Sequence, residues 1–264
     1  MNTNPLLDFS GLPRFDAITH EHVTPAIDTL LEQARATVAQ LEAPMEEVSW
    51  DNFVAPQDQI AETLGRAWSI VNHLNSVVDT PELRAAYNAN LPKVTEFLTE
   101  LGQNEILFGK YKQLQARADF ADLSPARRRI VENAVRDFRL GGAELPEDKK
   151  ERFGAIQEEH AAVGTRFSEN VLDATNDYKL LVENESDLAG LPDDVKAAAR
   201  AAAEKAGKQG YEFSLHFPSY YPILQFADNR ALRETIYRAN ATKASDQGEV
   251  FSKKEDWDNT HNIV

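Results

Sequence analysis

Apolar residues recur at helical period through most of the first 175 residues, and this patterning constrains the fold more than any other feature of the chain. Ile27, Leu30, Leu31, Ala34, Val38 and Leu41 fall on one face of a 3.6-residue repeat. Ile60, Leu64, Trp68, Val71 and Leu74 do the same, as do Phe153, Ile156, Val163, Phe167 and Val171. Thr24-Pro25, Thr80-Pro81 and Ser124-Pro125 read as helix starts, each placing a hydroxyl cap before a proline whose missing N–H the first turn does not need. Gly141-Gly142 closes the helix that begins at Pro125, because glycine accepts the left-handed conformation that follows a last turn. Pro92 lies inside an apolar pattern from Leu83 to Leu101 and predicts a kink or break there.

After Thr175 the period changes to two. Tyr178, Leu180 and Val182 alternate with their neighbours, and so do Phe213, Leu215 and Phe217, which predicts a small two-stranded β element at about 177–183 and 211–217. The alanine-rich run between them, within 192–206, is a strong helix former. Helices resume at Tyr220–Ala227 and from Asn229 to about Thr242. ASDQGEVFSKKED then reads as a polar surface connection, and Trp257-Asp258-Asn259 as the start of a further helix. The expected fold is mainly α, a multi-helix lobe with one small β element. The expected organisation is a single body over 1–264: helical over 1–175, strand–helix–strand over 176–218, helices and a connection over 219–264.

Composition bears on partners. A net charge of −15 argues against nucleic acid and anionic membranes, since phosphate surfaces reward basic faces. Nowhere do about 18 consecutive apolar residues occur, and the N-terminal stretch lacks a basic-then-apolar export signal. A cytoplasmic protein that neither spans nor binds a membrane is the expectation. With no cysteine, disulfides, thiolate metal sites and a cysteine nucleophile are excluded.

No catalytic constellation emerges from the side chains. The six histidines are His20, His22, His73, His160, His216 and His261, and no two have the i, i+4 spacing of an H-E-x-x-H zinc helix. His20-Glu21-His22 comes nearest to a ligand cluster, but residues two apart on a helix point about 200° apart. Glu158-Glu159-His160 reads as solvated surface, His73 as a core or interface residue, and His216 as the polar face of a strand. Gly109-Lys110 fails as a phosphate loop, because Asn104 stands where glycine is required and Tyr111 where a hydroxyl would meet magnesium. Neither G-x-G-x-x-G nor G-x-S-x-G occurs. The residues alone assign no catalytic, cofactor or metal site.

Four stretches nonetheless form a familiar set: HLNSVVDTPELRAAYNANLP (73–92), ENAVRDFRLGGAELP (132–146), FSENVLDAT (167–175) and FPSYYPILQFADNRALRETIYRANATKASDQG (217–248). In this order they resemble the N-terminal part of bacterial members of the thimet-oligopeptidase-like family of zinc metallopeptidases, over Asn4 to about Gly248. The resemblance implies two mostly helical lobes around a narrow channel, an H-E-x-x-H zinc site in the C-terminal half of a longer chain, and short peptides as substrates. It implies that this segment is a non-catalytic lobe forming one channel wall, with catalytic, cofactor and metal residues none in this segment and zinc held by a C-terminal catalytic half not present here. Tyr220 and Tyr221 then become candidate wall residues beside their reading as core aromatics. A dipeptidyl-carboxypeptidase variant stays open, as does a stand-alone helical binding or scaffold protein of the same ancestry. An isolated lobe is further expected to expose apolar surface, especially on the 217–242 helices.

Overall fold

A computed structural model describes residues 4–248 and 250–263. It is mainly helical with one small sheet, as the periodicity predicts, and divides into two compact units, Met1–Ala162 and Val163–Val264. No helix among the described residues is long and apolar enough to cross a membrane.

In the first unit α1 (His20–Glu42) lays its apolar face on α2 (Ala55–Val77) and α3 (Pro81–Gly102), burying Ile27, Leu30, Leu64, Val71, Val94 and Phe97. A second cluster joins α4 (Glu105–Gln115) to α5 (Pro125–Leu140) through Leu107, Tyr111, Val131 and Phe138, and takes in Phe53 from a single π turn, Trp50–Val54. Thr80 and Ser124 cap as expected, their hydroxyls accepting from Leu83 N–H at 3.2 Å and Arg127 N–H at 3.3 Å. α5 stops at Leu140, and Gly142 takes φ +96°.

Two proline readings are corrected. α1 starts at His20 rather than after Thr24, so Pro25 lies inside the helix and Thr24 Oγ1 instead accepts from the buried Asn90 amide at 2.7 Å. α3 runs unbroken through Pro92. One missing backbone donor costs less than unseating Tyr87, Val94 and Phe97 on either side of it, so tertiary packing overrides the local preference.

The second unit is built on the C-terminal half of α6 (Glu147–Asp177), then β1 (Leu180–Val182), α7 (Asp193–Lys205), β2 (Tyr211–Phe213), α8 (Phe217–Phe226) and α9 (Arg230–Thr242). The strands pair antiparallel, Leu180 opposite Phe213 and Val182 opposite Tyr211, and settle the direction that alternation alone left open. β2 is shorter than its alternation predicts. Ser214 N–H turns to Ser219 Oγ at 2.9 Å, and Phe217 opens α8 instead of extending the strand, leaving the residue 62 % exposed. The core gathers Leu188, Phe213, Leu215, Ile223 and Ile236.

The face read on α6 is the least well covered. Ile156 and Phe167 are exposed, and within the helix the buried residues are Asn170 and Ala174. The closing segment also departs from expectation: residues 252–257 form turns, and Asp258 Oδ1 accepts from Thr260 N–H at 2.9 Å in place of a helix cap. Asn259 is buried, donating to Phe167 C=O at 3.1 Å and accepting from Asn170 Nδ2 at 2.9 Å. Phe251, in the stretch read as a polar connection, is buried against Tyr178.

Burial of Tyr111 and Tyr178 pushes both phenols above their ordinary value of 10.0. The fold therefore holds their protons while the unfolded chain releases them, so their stabilising effect is complete below about pH 10 and is lost as pH rises beyond it. Tyr111 alone contributes a downward slope approaching about 1.4 kcal/mol per pH unit. Thermal melts between pH 9 and 11.5 are expected to show Tm falling progressively, and a Tyr111→Phe variant to fall less steeply.

Candidate functional site

Of the histidines singled out in the sequence, His22 serves local structure. His22 Nδ1 accepts from Thr19 N–H at 3.0 Å and lies 3.1 Å from Thr19 Oγ1, so His22 takes the role that glutamate usually has in a capping box. The Thr–His pair resembles an activated hydroxyl, but no third group orients the ring among the described residues, and the helix start is exposed. His73 is an exposed residue, not a core one, with its ring edge-on to Phe15 at 5.6 Å. His160 and His261 are exposed. His216 caps α8 through its carbonyl, which accepts from Ser219 N–H at 2.8 Å. Among the described residues no group of three or more His, Asp or Glu side chains is arranged to hold a metal ion.

Gly109-Lys110 has a structural use that the motif search did not anticipate. Lys110 is 8 % exposed, and its ammonium donates to the carbonyls of Leu41 and Ala43, tying α4 to the last turn of α1. Burial lowers its pKa, and the nearby Glu42 carboxylate opposes that shift. Lys110→Met removes the donors and leaves the buried Leu41 carbonyl without this partner. A loss of about 1–3 kcal/mol is expected, read as a lower urea midpoint with unchanged slope.

Three surface features remain as binding candidates. On α8, Phe217 and Tyr221 stack at 4.6 Å with Tyr220 edge-on to both, and Phe217 and Tyr221 face solvent while Tyr220 is half-buried against the core. Between α3 and the first turns of α6 lies a cleft of about 670 Å³ edged by Glu96, Glu100, Glu147, Glu151 and Glu158. Arg35 pairs with Glu96 and Glu100, and Lys150 with Glu147, so much of that charge is balanced. The third is a cavity of about 270 Å³ among α7, β2 and the start of α8, with Val195, Ala199, Phe213 and Pro218 on its walls and Lys179, Ser214 and Ser219 on its polar side. Lys179 and the two serines went unnoticed in the sequence because they meet only once the strands pair: Lys179 precedes β1 and Ser214 follows β2, and the two strands run antiparallel.

Residues 27–150 match the N-terminal domain of the Neurolysin/Thimet oligopeptidase family. Oligopeptidase A of Haemophilus influenzae is 45 % identical over 259 residues, which is 98 % of this chain and 37 % of the relative. The chain belongs to the oligopeptidase A/thimet-oligopeptidase family and matches the N-terminal region of its members. Oligopeptidase A of Escherichia coli is 43 % identical over 258 residues, 98 % of this chain and 38 % of that family member. Dipeptidyl carboxypeptidase of Salmonella typhimurium is also related, at 28 % over 249 residues, 92 % of this chain and 37 % of its own length. The chain thus spans somewhat more than a third of the length of these curated family members.

Proposed function

We propose that this chain forms the non-catalytic N-terminal lobe of a zinc metallo-oligopeptidase of the cytoplasm and supplies one wall of the channel that admits short peptides. The observation that carries the reading is the 45 % identity to an oligopeptidase A across 98 % of the chain. The lower identity to dipeptidyl carboxypeptidase, 28 %, favours internal cleavage over trimming of C-terminal dipeptides. The described residues offer no cluster that fits zinc, so no step of hydrolysis is assigned to side chains here. What this lobe contributes is shape and contact: the solvent-facing Phe217 and Tyr221 give a flat apolar surface on α8, a helix without a charged side chain, against which an extended peptide can lie.

The reading is tested on the purified 264-residue chain with a quenched-fluorescent nonapeptide and metal analysis, using a full-length oligopeptidase A as the positive control. The expected result is background hydrolysis and substoichiometric zinc. Chelator-sensitive cleavage by the chain alone, with one zinc per chain, would falsify it.

A further inference from the structure

The cavity among α7, β2 and the start of α8 combines an apolar floor with hydrogen-bond donors that have no acceptor among the described residues. Ser219 Oγ accepts from Ser214 N–H at 2.9 Å and Ser214 Oγ accepts from His216 N–H at 3.4 Å, so both hydroxyls are held in place while their own hydrogens stay available. Lys179 makes no ion pair among the described residues. The one carboxylate on the cavity wall, Glu212, is bonded to Lys208 at 2.8 Å and is 10 % exposed. In a chain with 43 acidic and 28 basic residues, an ammonium that makes no ion pair among the described residues, on the same cavity wall as two hydroxyl donors, is the electrostatic complement of an anion brought from outside.

Size and lining narrow the class of anion. A volume of about 270 Å³ is roughly nine water volumes, enough for one medium apolar side chain and its attached carboxylate. Val195, Ala199 and Phe213 would face that side chain, and the exposed Ala198 and Ala202 leave the α7 side open for the rest of an extended ligand. A phosphate or a polyanion gains nothing from such walls.

We propose that this cavity binds the free C-terminal carboxylate of a short peptide ending in a small or medium apolar residue, the carboxylate on Lys179, Ser214 and Ser219 and the side chain against Val195 and Phe213. No bond is made or broken. That the ligand is a peptide rests on the oligopeptidase reading, whereas the requirement for an apolar anion rests on the cavity alone.

The test titrates the 264-residue chain with N-acetyl-Ala-Ala-Val as the free acid, with its C-terminal amide and with 3-methylbutyrate, following backbone amide shifts by NMR. The free acid is expected to saturate with Kd on the order of 1 mM, shifting signals confined to Lys179, α7 and residues 212–219, and the amide to bind at least about tenfold more weakly. Lys179→Met is expected to abolish the preference for acid over amide. Ala198→Leu or Ala202→Leu, both at exposed positions, is expected to fill the cavity and remove binding while leaving the circular dichroism unchanged. Equal affinity for acid and amide, an unaltered preference in Lys179→Met, or shifts centred elsewhere would each overturn the proposal. Binding of 3-methylbutyrate as tight as the tripeptide would overturn the peptide assignment. The hydrolysis and zinc measurements above are independent of these titrations, so either reading can fail without the other.

Discussion

Gly190→Ala is expected to destabilise the second unit by about 3–5 kcal/mol and to lower its Tm by about 12 °C or more. Gly190 has φ +88°, where an alanine costs about 1–2 kcal/mol by conformation alone. The larger part comes from space. A Cβ built there would stand 2.2 Å from the Phe226 carbonyl oxygen and 3.0 Å from Asp228 Oδ1. The Asp228 side chain can swing aside, but the Phe226 carbonyl cannot: Phe226 ends α8, and the chain just beyond is fastened by Asp228 N–H to Ala189 C=O at 2.8 Å. Gly207 supplies the control, since it is also left-handed, at φ +70°, with nothing within 4 Å of a built Cβ. Gly207→Ala is expected to cost only the conformational part. Guanidinium unfolding of the two variants side by side separates backbone strain from collision, and equal losses would refute the steric account.

Phe53→Ala is the counterpart in the first unit, with an expected loss of about 3–5 kcal/mol. Phe53 is fully buried in the cluster that joins the π turn to α4 and α5, with its ring edge-on to Tyr111 at 4.8 Å. Truncation removes the transfer free energy of an aromatic ring and leaves a void that helices anchored on several sides cannot close. Phe53→Leu, which keeps most of the volume, is expected to lose under about 1.5 kcal/mol. A second readout follows from the same contact. Burial holds the Tyr111 phenol un-ionised well above its ordinary range, so opening a void beside it should bring its ionisation, followed at 295 nm, to lower pH. Stability unchanged in Phe53→Ala, or a Tyr111 titration that does not move, would show that the cluster is not packed as described.

The helices were legible where two signals agreed. α5 carried a serine cap, a proline at its first position and a glycine pair after its last, and its limits follow those marks. Thr24-Pro25 carried the same signature but misled, because the Thr19–His22 capping box had already started α1 one turn earlier and histidine in that role has no standard sequence signal. Pro92 misled for the opposite reason: the local rule was right about the lost hydrogen bond and silent about the core on either side. Strand alternation located β1 and β2 but overran the second by several residues, since Leu215 is buried for tertiary reasons after the chain has left the sheet.

The candidate site was far less legible than the fold. Each of its parts is bland in sequence: one lysine, two serines and an alanine-rich helix. What makes them a site is that Lys179 makes no ion pair among the described residues, and a pairing that is not made leaves no trace in a linear pattern. Phe217 was visible as an apolar residue, yet only the turn at Ser214 decides that its ring faces solvent rather than continuing the strand.

Lys110 ties α4 to the last turn of α1 with an amine that is shielded by its neighbours and engaged at two carbonyls. Amine-directed reagents reach the exposed lysines of this chain directly, but they reach this one only when the two helices part. Its acylation half-time, measured by peptide mass against a surface lysine such as Lys149, is therefore a clock for the opening of that corner, and it runs without any probe being added to the protein.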